Sequence, residues 1–154
     1  MIVSDTTTPF ILMETGRWEL LSNLFCRVSI PQAVYEELLC KGEGSLPDFF
    51  EIIEIKDDPM IETLEMLLDR GESEAIVLAL RLGQPLIIDE KKGRKIARRY
   101  GIEIVGLLGI VYLNVKKGRL DAKGAFEFLD EVQERGFRIS ESLLQRMKQK
   151  VIQV

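Results

Sequence analysis

Met1-Ile2-Val3-Ser4-Asp5-Thr6-Thr7-Thr8-Pro9 decides how the rest of the chain is read. Ile2 and Val3 are apolar and β-branched, the composition of a strand buried on both faces of a parallel sheet. The hydroxyl run and Pro9 do not prolong such a strand. Proline instead fits the first turn of a helix, which continues through Phe10, Ile11, Leu12 and Met13. Asp5 therefore falls at the carboxyl end of a strand, where open α/β sheets collect their ligands. The plainer reading is that Asp5 or a threonine caps the helix.

The same design recurs once. Pro85-Leu86-Ile87-Ile88-Asp89 is again a short buried strand closed by an aspartate, and it is the strongest internal clue in the sequence. Between the two lie helices with paired glutamates. In Pro31–Cys40, Val34, Tyr35, Leu38 and Leu39 form the apolar stripe, with Glu37 nearer its edge than Glu36. In Glu72–Leu82, Ala75, Ile76, Ala79 and Leu80 share one face with Glu72, while Glu74 falls with Arg81 on the other side. Both pairs have an ordinary explanation, as solvated glutamates or as charges favoured at a helix N-terminus.

The remaining pattern alternates strand and helix. Strands are expected over Arg27–Ile30, Phe49–Ile55 (at or near an edge) and Gly101–Val105, and a short amphipathic helix over Trp18–Phe25. Further helices are expected over Met60–Asp69, Glu90–Tyr100, Leu107–Val115, around Ala122–Val132, and after a Ser140 cap. Glu90–Tyr100 is basic, with Lys91, Lys92, Arg94, Lys95, Arg98 and Arg99. Such a run is commonly a solvated face, but here it stands ready to meet phosphates beside an acidic site. Alternation of this kind implies a mostly parallel sheet covered by helices on both faces. With 154 residues the chain has the size of one domain, 1–154, with the helices of 121–151 packing on it.

Composition narrows the chemistry. The chain has no histidine, which removes imidazole acid–base catalysis, His-based triads and Cys/His zinc sites. Cys26 and Cys40 form no CxxC. A net charge of −4 gives no general attraction to nucleic acid, although a local basic patch can. No apolar run has the length of a membrane span, and Met1 leads straight into a strand, so a cytoplasmic protein is expected. Chemistry, if present, rests on carboxylates. Two aspartates at strand ends and glutamates from two helices, gathered together, repel unless protonated or neutralised by a hard cation such as Mg2+ or Mn2+.

Several stretches carry a resemblance. Val3-Ser4-Asp5-Thr6, the segment from Ile30 to Leu38, Gly71–Ala79, Leu86–Ala97 with its Asp89 and Arg94, and Gly136–Ser140 occur in an order that resembles the PIN-domain family. Within it they are similar to a PIN-like branch of undefined function close to the VapC toxins. The resemblance covers nearly the whole chain. It implies a three-layer α/β/α sandwich and a metal-dependent endoribonuclease, often the toxin of a toxin–antitoxin pair and commonly a homodimer. Carried over by position, it implies Asp5, Glu37 and Asp89 as metal-binding acids. The third acid, usually aspartate in VapC-like members, falls on Glu72, with Glu74 as a substitute. Thr6 matches a small hydroxyl and Arg94 a recurring arginine of structural or phosphate-facing role.

Two other classes compete with this reading. A phosphatase of the haloacid dehalogenase type needs Asp-x-Asp after the first strand, and Thr7 occupies the second position. A catalytically silent PIN-like binding or assembly subunit keeps the fold without the chemistry; acids at all four places argue against it, while the acidic net charge and the glutamate in place of the third aspartate keep it open.

Overall fold

Strand β1 (Ile2–Ser4) lies at the middle of a five-stranded, all-parallel sheet of order β3-β2-β1-β4-β5. The computed structural model describes residues 1–42 and 44–154. From β1 the chain runs through α1 (Thr7–Thr15) and the single turn α2 (Glu19–Ser22) to β2 (Val28–Pro31). It continues through α3 (Gln32–Lys41), β3 (Phe50–Ile53), α4 (Pro59–Glu65) and α5 (Arg70–Leu82) to β4 (Leu86–Ile87). Then come α6 (Lys91–Arg99), β5 (Ile104–Val105), α7 (Leu107–Lys116), α8 (Ala122–Glu134) and α9 (Glu141–Ile152).

Period-two alternation builds the three layers. Ile2, Val28, Ile30 and Ile87 face one apolar cluster, which Leu12, Leu20, Ile110, Val111, Phe128 and Met147 complete from α1, α2, α7, α8 and α9. Val3, Leu86 and Ile88 face the other, closed by Ile61, Ile76 and Ile96 from α4, α5 and α6. Ile2 and Val3 are both buried, as the unbroken apolar run predicts. Among the described residues no helix is long and apolar enough to cross a membrane.

Strand order fixes where a site can form. The chain winds from β1 through β2 to β3 on one side, then returns to place β4 on the other side of β1. The direction of winding reverses between β1 and β4, and the crevice outside their carboxyl ends is the topological switch point. Asp5 and Asp89 follow those two strands, one on each side of the crevice.

Several elements differ from the expected ones. The strands are shorter than their apolar runs: Leu86–Ile87 rather than Pro85–Asp89, Ile104–Val105 rather than Gly101–Val105, and Phe50–Ile53 at the β3 edge rather than Phe49–Ile55. An apolar run reports burial, whereas a ladder needs a partner in register, and the runs outlast their partners. Pro31 closes β2 and is the N-cap of α3. The helix expected over Trp18–Phe25 is only Glu19–Ser22, and Leu39, expected in the α3 stripe, is 48% exposed. The largest correction concerns α5. Glu74 does not point outward with Arg81; every residue from Gly71 to Ala79 is buried, because α5 has the sheet on one side and α3 and α4 on others.

Candidate active site

The switch-point crevice is lined by carboxylates from four places in the chain. Asp5 comes first. Its backbone N–H donates to Ile87 O (2.9 Å), continuing the β1–β4 pairing past the strand. Its Oδ1 accepts from Thr6 N (2.6 Å).

Thr6 is the N-cap residue of α1, yet its side chain makes no cap hydrogen bond. Pro9 stands three residues on and has no N–H to give, so one of the usual capping donors is missing. The Thr6 hydroxyl donates instead to Glu37 Oε2 (2.8 Å), 31 residues away. Thr8 donates from the same turn to Asp89 Oδ2 (2.6 Å). The hydroxyl run thus holds one acid from α3 and one from the end of β4.

Asp89 has a second anchor. Its Oδ1 accepts from Leu107 N (2.8 Å) in the first turn of α7, where the helix dipole favours negative charge. Gly106 permits this approach: a Cβ there would stand 2.6 Å from Arg94 Nη1 and 3.0 Å from Asp89 Oδ1. Arg94 is half-buried, and its Nη1 lies 3.5 Å from Ile88 O.

Glu72 enters from the first turn of α5. Asp69 is the N-cap of that helix and accepts from Glu72 N (2.8 Å) through Oδ1. The segment Asp69-Arg70-Gly71-Glu72 has the spacing of a capping box. Glu72 is only 6% exposed, and among the described residues its buried Oε2 has no hydrogen-bond partner. Gly93 of α6 gives this oxygen its room, since a Cβ there would meet Ile88 Cδ1 at 2.7 Å and Glu72 Oε2 at 2.8 Å. Gly71 does the same beside Glu37 Oε2, 3.1 Å from its would-be Cβ.

Electrostatics ties the five acids into one neighbourhood. Burial pushes the Asp5 carboxyl up to about 7, against the pull of the Thr6 N–H bond, and the charges of Asp69, Asp89 and Glu37 raise it further. Glu72 is pushed up to about 8, chiefly by burial, then by Asp69 and by Asp5. Asp5 is the member that feels charges from the β4 end, α3 and the α5 cap together. Among the described residues, no three carboxylates stand close enough to enclose an ion as they are; Glu37 and Asp89 are drawn toward the threonines.

Asp5, Thr6, Glu37, Glu72 and Asp89 are therefore brought together, with Arg94 on the Asp89 side. Glu74 lies elsewhere: its Oε2 meets Arg70 Nε (2.5 Å), and its Oε1 accepts from Ala33 N at the start of α3 (3.3 Å). Two participants went unnoticed in the sequence. Asp69 looked like the end of the preceding helix, and the capping-box spacing to Glu72 was the signal that marks it. Thr8 had no local signal, because its partner is 81 residues away.

A parallel α/β sheet with acidic side chains at both lips of its switch point defines a class of domain suited to ligands that carry or tolerate positive charge, including cation-bridged phosphates. The sequence matches the PIN domain family over residues 1–153, and the chain belongs to that family. PIN domains are in general nucleases that typically use divalent metals. Among curated proteins, no relative matches the chain.

Proposed function

We propose that this PIN domain is a metal-dependent endoribonuclease that hydrolyses RNA phosphodiesters, with Asp5, Glu72 and Asp89 holding Mg2+ or Mn2+ and Glu37 beside them. One observation carries the reading: the buried carboxyls of Asp5 and Glu72 share one acidic neighbourhood, burial together with that neighbourhood raises both, and among the described residues one Glu72 oxygen has no hydrogen-bond partner. Evolution of a fold does not ordinarily leave such a group unsatisfied without a use. The donors fit a hard cation, being oxygen throughout. When bound, a divalent ion supplies activation of water at neutral pH and shielding of a leaving oxygen.

The chain's own residues prepare the site. Thr6 and Thr8 orient Glu37 and Asp89. The recessed positions of Asp5 and Glu72, 5% and 6% exposed, limit competing water. Without a cation, burial and the neighbouring acids favour proton uptake by these two carboxyls as the pH falls toward neutrality. Glu72 is preferred over Glu74 as third acid because both Glu74 oxygens are engaged by Arg70 and Ala33. Arg94, half-buried on the Asp89 side of the cluster, is assigned a structural or phosphate-facing role in this reading. The resemblance further supports a toxin of a toxin–antitoxin pair, cytoplasmic and homodimeric, with a small antitoxin protein as partner.

The test is RNA cleavage with Mn2+ titrated in, comparing wild type with Asp5→Asn and Asp89→Asn. The reading requires wild-type cleavage that chelator abolishes, and a loss of at least about a hundredfold in each variant, the scale of a catalytic group. One observation favours the rival, a catalytically silent binding subunit: Glu37 and Asp89 already have hydroxyl partners. Mn2+-independent RNA binding with no cleavage by wild type would decide for it.

A further inference from the structure

Helix α6 carries Lys91, Lys92, Arg94, Lys95, Arg98 and Arg99 and no acidic residue, in a chain whose net charge is −4. Its buried side is Gly93, Ile96 and Ala97. At 100° per residue, the six cations fall on the opposite arc, where all but Arg94 are exposed. Among the described residues none of the six forms a salt bridge; Lys116, Lys117 and Arg119 are also unpaired, but α6 gathers its six cations on one helix face.

Locally this arrangement is unfavourable. Lys91 and Lys95, Arg94 and Arg98, and Lys95 and Arg99 are like charges one turn apart, which destabilise a helix. Lys91 and Lys92 in the first turn oppose the helix dipole. Among the described residues no carboxylate pairs with these cations, the exposed N-cap Glu90 included, and an external polyanion would offset their mutual repulsion.

Position selects the polyanion. The helix begins two residues after Asp89 and packs through Gly93 against Ile88 and Glu72, so its basic face starts at the lip of the acid cluster. It extends about 13 Å away from that lip. Asp5 and Glu72 are recessed, which suits a flexible single strand able to dip toward them better than a rigid duplex.

We infer that the solvent face of α6 is a binding track for the phosphate backbone of single-stranded RNA, carrying the strand between the acid cluster and solvent. The inference rests on the nuclease reading of that cluster but concerns binding, so the two fail separately. The test is fluorescence anisotropy with a short labelled single-stranded RNA, in chelator and in an Asp5→Asn background, across about 50–200 mM salt. Replacing Lys92, Lys95 and Arg99 together by Gln should make the slope of log K against log salt shallower by about 2, the release expected for three phosphate contacts on a single strand. The same charge removed at exposed Lys116, Lys117 and Arg119, at the far end of α7, should leave the slope unchanged. Circular dichroism of each variant checks that the fold is intact, and a Lys92→Arg, Lys95→Arg pair should retain the wild-type slope. An unaltered slope in the α6 variant, an equal change in the α7 control, or α6-dependent binding of polyglutamate in preference to RNA would each overturn the inference. Wild-type protein that binds RNA through α6 yet cleaves none with Mn2+ would remove the nuclease reading and leave the track standing.

Discussion

Asp5 and Glu72 give the residue-scale account its measurable consequence, because a carboxyl raised in the fold favours the protonated folded state. Below about pH 3, under the ordinary values of 3.8 and 4.5, both groups are protonated in folded and unfolded chains alike, and their contribution to stability is fully present. As pH rises, the unfolded chain ionises first, so stability is lost progressively until the pH passes the folded values of about 7 and about 8. In chelator, thermal melts should therefore show these groups costing most above pH 8. Asp5→Asn and Glu72→Gln should each be more stable than wild type there, on the order of 1 kcal/mol, and show little advantage at pH 4. Asp89 is a different case: it accepts from Leu107 N and Thr8 Oγ1, so its replacement removes support as well as charge. Gly93→Ala tests the packing beside the acids. With a Cβ 2.7 Å from Ile88 Cδ1 and 2.8 Å from Glu72 Oε2, it should cost about 1–3 kcal/mol in denaturant melts, and it should weaken Mn2+ binding by displacing Glu72.

At the scale of elements, α5 shows what local reading catches and what it misses. Its 3.6-residue pattern and the terminating Gly83 were plain, and Glu72 was rightly expected to face the sheet. A helical wheel assumes one covered side, however, and α5 is covered on several by elements distant in sequence, so the burial of Glu74 was not visible. Asp69 was hidden for a related reason: it was read as the last residue of a helix over Met60–Asp69, whereas α4 ends at Glu65 and Asp69 opens the next helix. Its cap bond to Glu72 N makes a prediction. Asp69→Ala should lose about 0.5–2 kcal/mol of capping at low pH, where the neighbouring acids are neutral. The loss should shrink at pH 8, where removing its charge relieves Asp5 and Glu72. A deficit of equal size at both pH values would show that Asp69 is only a cap.

For the molecule as a whole, the five strands, their parallel arrangement and the acids at two strand ends were legible because burial on both faces leaves an unbroken apolar run in the sequence. Thr8, Asp69 and the surroundings of Glu74 were not, since each depends on contacts made only after the layers assemble. Topology does the assembling: the winding reverses between β1 and β4, and this places Asp5 and Asp89, 84 residues apart in the chain, on one crevice. The central claim is that these acids form a single cation-dependent site. Its most direct measurement is the melting temperature at pH 8, in chelator and in saturating Mn2+, for wild type and Asp5→Asn. Mn2+ should raise wild-type melting by several degrees, the effect of about 2.7 kcal/mol when the ion is at a hundredfold excess over its dissociation constant. Asp5→Asn should melt higher than wild type in chelator and gain little from Mn2+. Equal Mn2+ stabilisation of both proteins, or a less stable Asp5→Asn in chelator, would contradict it.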